Sequence, residues 1–413
     1  MINKLSGVFK NTFYSLKIRN FKLFFIGQVI SVSGTWAQSF AQGWLVLSLT
    51  KNNAFDLGIT TGCQFLPILF LGPWGGLIAD RYEKRTILFF TQSISAVEAA
   101  ALGILVLKND VNFITVTIFA FLLGMVNVFD NPARQSFVLE MVGKEYVSNA
   151  VSLNSVLVNL ARVVGPGVSG ILIETLGIGY SFIFNAFSFI AVLFALYLMK
   201  KSELHSTQPV AKMKHQLRQG FSYVYKVKDL YVPLVLMAVI GTLAYNFQVT
   251  LLLFAKQTFK LGAGGSGLFF TVMGLGAIGG GLVVANRKAP TNKSFLFVAF
   301  IFGLLLTVLS WTPNVVLAYI ILVPMGGFSI AYIAQSNTLL QIRSKPEYRG
   351  RVMSLYSVAF LGSTPVGALI VSWVASVSNP RVSILLGGIA TVVAVTVAFF
   401  ILNIKISSTQ SYS

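Results

Sequence analysis

Long apolar runs dominate the sequence, and their length limits what the chain can fold into. Each run holds about 20 apolar residues, enough for a helix to cross the hydrocarbon core of a membrane. Only 10% of the 413 residues are charged, against about 25% in soluble domains. We therefore predict an all-α integral membrane protein with twelve transmembrane helices. The predicted spans are residues 23–48, 57–79, 86–107, 112–132, 148–175, 178–199, 231–255, 264–285, 294–311, 314–340, 348–376 and 381–404.

The basic residues indicate how the chain is oriented in the membrane. A net charge of +19 would suggest nucleic-acid binding in a soluble protein. Here 25 of the 31 Lys and Arg residues fall on one side of the predicted spans and 5 on the other, and cytoplasmic loops carry such an excess. We therefore predict a multi-pass inner-membrane protein with both termini in the cytoplasm, a first span that is retained, and no nucleic-acid partner.

Internal similarity predicts two halves. The longest hydrophilic stretch, 200–230, leaves six predicted spans on each side. EYVSNAVSLNSV at 145–156 matches EYRGRVMSLYSV at 347–358 at six of twelve positions, and GTWAQSF at 34–40 resembles GTLAYNF at 241–247. We expect two pseudo-symmetric six-helix bundles, residues 1–199 and 231–413, joined by a basic cytoplasmic linker at 200–230.

A loop with a recognisable motif follows the second predicted span. GLIADRYEKR at 76–85 resembles the signature of the major facilitator superfamily, with Glu83 where that family has glycine. The pattern is matched at Gly76, Asp80, Arg81, Lys84 and Arg85. The resemblance implies the major facilitator fold and a cytoplasmic gate whose arginines pair with acids on span 4. Asp130 is the expected partner of Arg81 or Arg85; the alternative is a basic loop that only sets topology.

Span 5 carries a second motif. ARVVGPGVSG at 161–170 resembles the superfamily's antiporter motif, matched at Gly165, Pro166 and Gly170; a plain packing kink is the alternative. Residues 19–50 and 130–142 are similar to the branch that contains the enterobactin exporter and related siderophore and macrolide exporters. This resemblance implies export from the cytoplasm.

Two charged residues lie deep inside predicted spans. Glu98 is on span 3 and Arg162 on span 5, and intramembrane charges are functional candidates by default. We expect Glu98 to carry the coupling proton, its protonation set by burial against Arg162. A fixed ion pair, or a glutamate that only contacts other helices, remains the alternative.

Span 1 carries a stripe of uncharged polar residues. Gln28, Ser31, Thr35, Gln38 and Gln42 fall within an arc of about 80° at about 100° per residue, so they face either neighbouring helices or a cavity. The resemblance places spans 1, 4, 7 and 10 around a central path, and a cavity is expected. Its predicted lining residues are Gln28, Ser31, Thr35, Trp36, Gln38, Gln42, Thr242, Tyr245, Asn246, Ser329, Tyr332 and Ser336. Such side chains suit a polar, aromatic-containing cargo held by hydrogen bonds rather than by a counter-charge.

Other function classes find little support. One cysteine and two histidines provide neither a disulfide nor a His/Cys metal site, and no P-loop occurs. The glycine-rich segment 262–281 lies in a span, where small residues serve helix packing. We therefore expect no cofactor and no enzymatic activity. The prediction is a monomeric exporter of a siderophore or drug-like molecule, driven by proton antiport; an importer of the same fold and a transport-inactive sensor or scaffold are the alternatives.

Overall fold

A computed structural model describes residues 14–205, 222–285, 289–345, 347–360 and 362–403. These residues are almost entirely helical and contain no strand, because apolar helices bond their own backbone groups. Most of the predicted linker lies outside the described residues. The helices of the first half are α1 Arg19–Leu49, α2 Ala54–Arg81, α3 Lys84–Leu107, α4 residues 113–142, α5 residues 144–175 and α6 Ile178–Leu198.

The second half is more interrupted. Its helices are α7 Lys228–Leu243, α8 Phe247–Leu253, α9 Ala263–Ala285, α10 Asn292–Ser310, α11 Val315–Arg343, α12 Arg349–Phe360, α13 Thr364–Val377 and α14 Pro380–Asn403. A π-helical turn, Phe254–Thr258, follows α8.

Ten helical segments of the described residues are long and apolar enough to cross a membrane. The pairs α4 with α5, α7 with α8 and α12 with α13 each count as one segment among these ten, and α1 is not one of them. The polar stripe of α1 lowers the hydropathy of this helix, which explains why α1 is not among the ten segments. The predicted all-α membrane class is confirmed, and the number of crossings stays a prediction.

The break between α4 and α5 corrects one predicted boundary. Gly143 has φ 69°, a left-handed conformation that glycine adopts without steric cost. The preceding helix therefore continues 10 residues beyond the predicted end of span 4. As a consequence, Asp130 lies about 18 Å from the end of α4 and not at that end.

Two compact units make up the described residues. One contains those of Met1–Lys212 and Ala255–Gly274, and the other those of Met213–Phe254 and Leu275–Ser413. The first unit has an aromatic and aliphatic core in which Phe24 packs edge-on against Phe137, with ring centroids 5.7 Å apart. The second unit has its own buried core, including Phe295 and Phe302.

Glycines set the closest helix approaches in the first unit. A Cβ atom at Gly75 of α2 would overlap the carbonyl oxygen of Val128 on α4, and one at Gly124 would overlap that of Gln64. Next to Gly75, the motif residue Gly76 has open space, with no atom within 4 Å of an added Cβ. Gly75, not Gly76, therefore permits the contact between α2 and α4.

Gly75→Ala is expected to lower the free energy of unfolding by about 1–3 kcal/mol, because the added methyl group separates two packed helices. Gly76→Ala is the matched control and should be neutral or slightly stabilising, since alanine favours a helix. Thermal unfolding of both variants in detergent measures the difference. Equal melting temperatures would contradict the assigned packing.

Candidate functional site

The polar stripe of α1 lies inside the first unit. Gln28, Ser31 and Gln38 are each 1% exposed and Gln42 is 4% exposed. Gln42 Nε2 donates to Gln64 Oε1 at 3.3 Å, and Thr35 Oγ1 donates to the Ser31 carbonyl at 3.0 Å. A stripe with helical spacing looks the same whether it faces water or another helix. The observed burial favours contacts between helices over cavity lining for these residues.

Gln38 connects three helices through one amide. Its Nε2 atom donates to Glu98 Oε2 of α3 at 3.1 Å, and its Oε1 atom accepts from Asn185 Nδ2 of α6 at 2.7 Å. Asn185 Oδ1 in turn accepts from Ser188 Oγ at 2.9 Å. Glu98 Oε1 is buried and has no hydrogen-bond partner among the described residues. The network therefore supports one oxygen of the carboxyl group and leaves the other available.

Arg162 is not the partner of Glu98. Its guanidinium carbon lies 4.8 Å from the ring centroid of Trp36, whereas the side-chain hydrogen bond to Glu98 within the described residues comes from Gln38. The expected burial of Glu98 against Arg162 is thus wrong for this structure. The physical reason is that similar depths in α3 and α5 do not bring two side chains to the same side of α1.

A second polar network surrounds Asp130, which is 1% exposed. Its Oδ1 atom accepts from Thr91 Oγ1 and from Gln92 Nε2, both at 2.7 Å. Its Oδ2 atom pairs with Arg134, one helical turn further along α4. Arg134 Nη1 also donates to Gln28 Oε1 of α1 at 2.8 Å. The network joins α1, α3 and α4 through an ion pair in which Asp130 is buried and Arg134 is partly exposed.

Asp130 therefore binds Arg134, and the expected pairing with Arg81 or Arg85 is wrong for this structure. Arg85 Nε instead donates to the Leu196 carbonyl at 2.9 Å, near the end of α6. The longer α4 explains the difference, because it places Asp130 inside the helix. The sequence DNPAR contains an i,i+4 pair of the type that stabilises helices, and this signal could have identified Arg134.

The loop between α2 and α3 has structural contacts of its own. Lys84 Nζ forms an ion pair with Glu140 Oε1 at 2.9 Å, so two of the motif's basic residues, Lys84 and Arg85, bind near the ends of α4 and α6. Asp80 and Arg81 are exposed at the end of α2. A gating role for Gly76, Asp80 and Arg81 stays a prediction.

The antiporter-like motif brings α5 close to two helices. A Cβ atom at Gly165 would lie 2.5 Å from the Cβ atom of Trp36 on α1, and one at Gly170 would lie 2.7 Å from the Ala263 carbonyl oxygen at the start of α9. The Pro166 carbonyl oxygen would lie 2.5 Å from a Cβ atom at Gly267. Both interpretations of the motif, a packing kink and an antiporter motif, predict such close helix contacts. The contacts therefore do not distinguish them, and the motif's role in transport stays a prediction.

The six predicted cavity residues of the second half all lie in the second unit: Thr242, Tyr245, Asn246, Ser329, Tyr332 and Ser336. The Tyr245 hydroxyl donates to the Ser329 carbonyl oxygen, and its ring centroid is 6.3 Å from that of Tyr332. Asn246 Nδ2 donates to the Thr242 carbonyl at 2.6 Å. The buried hydroxyls of Tyr332 and Ser336 have no partner among the described residues, a pattern that calls for an explanation.

The ion pair on α4 leads to a prediction about stability. Asp130→Asn leaves Arg134, whose side chain is 23% exposed, without its counter-charge and should lower the free energy of unfolding by about 1–3 kcal/mol. The double variant Asp130→Asn/Arg134→Gln should recover part of this loss. Glu203→Gln, which removes an exposed ion pair with Lys200, should change stability by less than about 1 kcal/mol. Thermal unfolding in detergent tests all three, and a double variant no more stable than Asp130→Asn would argue against the pair.

Comparison with known proteins identifies the family. The sequence profile of the family described as "Transmembrane secretion effector" matches residues 10–412. The chain is 28% identical to the staphyloferrin A transporter of Staphylococcus aureus, over 93% of this chain and 96% of the relative. It is 23% identical to the multidrug efflux pump Tap of Mycolicibacterium fortuitum over 88% and 90%, and 20% identical to the enterobactin exporter EntS of Shigella flexneri over 88% and 87%.

Solved structures confirm the fold class. The crystal structure of the nucleoside transporter NupG superposes with a TM-score of 0.74 at 11% identity, covering 93% of this chain and 99% of that one. A bacterial homologue of the iron transporter ferroportin gives a TM-score of 0.69 at 15% identity, with 92% and 98% coverage. The chain therefore belongs to the transmembrane secretion effector family and is a multi-pass transporter of the major facilitator superfamily.

Proposed function

We propose that this transporter exports a small molecule from the cytoplasm across the inner membrane and couples export to inward movement of protons. In this proposal the protein works as a monomer by alternating access of its two bundles. Both termini lie in the cytoplasm. The names of the relatives, a siderophore transporter, a drug efflux pump and a siderophore exporter, support export and a siderophore or drug-like cargo. The observation that best supports proton coupling is the hydrogen bond from Gln38 to the buried carboxyl group of Glu98.

Glu98 is suited to carry a proton. It lies 14 residues into α3, or about 21 Å along the helix, and is 7% exposed. Ionisable groups at such depth are expensive and mark ion pathways. Its Oε1 atom has no partner among the described residues, so a proton bound there displaces no hydrogen bond.

The neighbouring amides fix the geometry of this carboxyl group. Because Asn185 donates to Gln38 Oε1, the NH₂ group of Gln38 must point towards Glu98. That donor binds Oε2 whether or not Oε1 carries a proton. The network can therefore hold Glu98 in place through both protonation states, which is a requirement for a site that loads and releases protons repeatedly.

The proposed export function leads to a prediction about cells that lack the transporter. A deletion strain grown under iron limitation should retain the cargo in its cytoplasm and release less of it, whereas an importer deletion should leave more in the medium. Mass spectrometry of cells and medium, compared with the parent and a complemented strain, measures both pools. Unchanged pools for every compound would favour a sensor or scaffold instead.

Glu98→Gln should separate coupling from binding. In proteoliposomes containing the cargo identified above, we expect transport driven by a pH gradient to fall by at least about tenfold, since the amide cannot exchange a proton. Exchange of labelled for unlabelled cargo without a gradient should persist.

Asp110→Asn, in the exposed loop before α4, is the matched control and should transport like the wild type. Gradient-driven transport that survives in Glu98→Gln would rule out Glu98 as the coupling site.

A further inference from the structure

The glycine-rich start of α9 contacts an acidic residue of α5. Gly264 N donates to Glu174 Oε1 at 2.7 Å, and Glu174 is the second-last residue of α5. The first backbone N–H groups of a helix have no acceptor inside that helix. Gly262 and Ala263, where α9 starts, have no polar side chain that could accept from them. The carboxylate from α5 therefore takes the place of a local capping residue.

Two glycines leave room for this carboxylate. A Cβ atom at Gly262 would lie 2.6 Å from Glu174 Oε1, and one at Gly264 would lie 2.5 Å from Glu174 Oε2. Gly265 differs, because the atoms nearest to an added Cβ belong to Leu261, at 3.2 Å or more. A negative charge in this position is also stabilised by the dipole of α9. The glycines at the start of α9 thus serve carboxylate binding as well as helix packing.

The Glu174 contact lies at one end of a longer interface between α5 and α9. Thr271 Oγ1 donates to the Val163 carbonyl at 2.9 Å, and Val163 is 11 residues before Glu174 on α5, or about 16 Å along the helix. Glu174 is exposed, and the predicted orientation places it at the outer face. These residues all belong to the first unit, although α9 continues from Leu275 into the second unit.

We propose that Glu174 stabilises one of the two states of the transport cycle by holding the start of α9 against α5. This proposal rests on the alternating access proposed above. Because α5 belongs to the predicted bundle 1–199 and α9 to the predicted bundle 231–413, their outer ends separate when the outer side opens. A contact that exists in one state only shifts the equilibrium towards that state. Glu174 is thus a positioning residue that favours the state closed on the outer side.

The test measures how often the start of α9 separates from its neighbours. Ser266, on the first turn of α9, is 0% exposed, so Ser266→Cys reacts with a maleimide only when this end of the helix moves. The full-length protein carries one cysteine, Cys63, which is replaced by serine. Ser95→Cys, buried on α3, reports general loosening. The labelling rate in detergent, followed by mass spectrometry, measures the open fraction if opening is fast relative to labelling.

Two independent variants remove the contact. Glu174→Gln should raise the labelling rate of Ser266→Cys about two- to fivefold, the size expected for a charge at an exposed helix N-terminus. Gly264→Ala displaces the carboxylate and should raise this rate by a similar factor. The double variant should label no faster than the faster single variant, because both changes remove the same contact. Gly265→Ala is the matched control and should label at the parent rate.

Four results would overturn the proposal. Equal, measurable rates in the parent, Glu174→Gln and Gly264→Ala would show that the contact does not affect opening. Factors that multiply in the double variant, or an equal rise at Ser95→Cys, would show that the changes only loosen the protein. A Ser266→Cys reporter that stays unlabelled in every variant would count against alternating access as well. The measurement uses no cargo, so its outcome is independent of the export test in the deletion strain.

Discussion

The loss of water around polar groups is the constraint on which the rest of this structure depends. An amide or carboxyl group in hydrocarbon loses its hydrogen bonds to water and must find protein partners or a wet cavity. In the first unit the polar stripe of α1 is buried, and neighbouring helices provide its hydrogen-bond partners. Gln28 and Gln38 each accept or donate hydrogen bonds across helix boundaries, and each contacts a charged residue. The same contacts orient α1 against α3, α4 and α6.

Two polar networks with different chemistry result from this arrangement. Around Asp130, an ion pair and two further donors satisfy the carboxylate, which favours a fixed charge. Around Glu98, one amide supports one oxygen and the other oxygen is unpaired within the described residues. Burial alone does not distinguish the two acids. Their hydrogen-bond partners do, and this difference is the reason why we propose Glu98, and not Asp130, as the site of proton coupling.

Helix α1 has two chemically different sides. Its buried polar side contacts Glu98 through Gln38 and Arg134 through Gln28, and its aromatic side contacts the cations Arg162 and Lys256. Gly165 of the antiporter-like motif allows α5 to approach α1 beside Trp36, which positions Arg162 over that ring. If Glu98 carries the coupling proton as proposed, a change in its protonation acts directly on α1 through its hydrogen bond with Gln38.

Local features of the sequence were sufficient to predict the class of protein. Hydropathy and charge distribution predicted an α-helical membrane protein because helix formation in lipid depends on the composition of each segment. The loop GLIADRYEKR and the segment 19–50 predicted the family. Helical spacing also predicted that Gln28, Gln38 and Gln42 share one side of α1, since that depends only on about 100° per residue.

Only the tertiary structure decided what that side faces and which charges meet. The partners of Glu98, Asp130 and Arg162 lie on other helices or depend on where α4 ends, and Gly143 sets that end through a backbone conformation that the apolar pattern does not reveal. Side chains distant in sequence meet according to how helices rotate and approach, which packing at glycines such as Gly75 and Gly165 controls. The sequence by itself determined the helices and their polar sides; the packing of those helices determined the pairs.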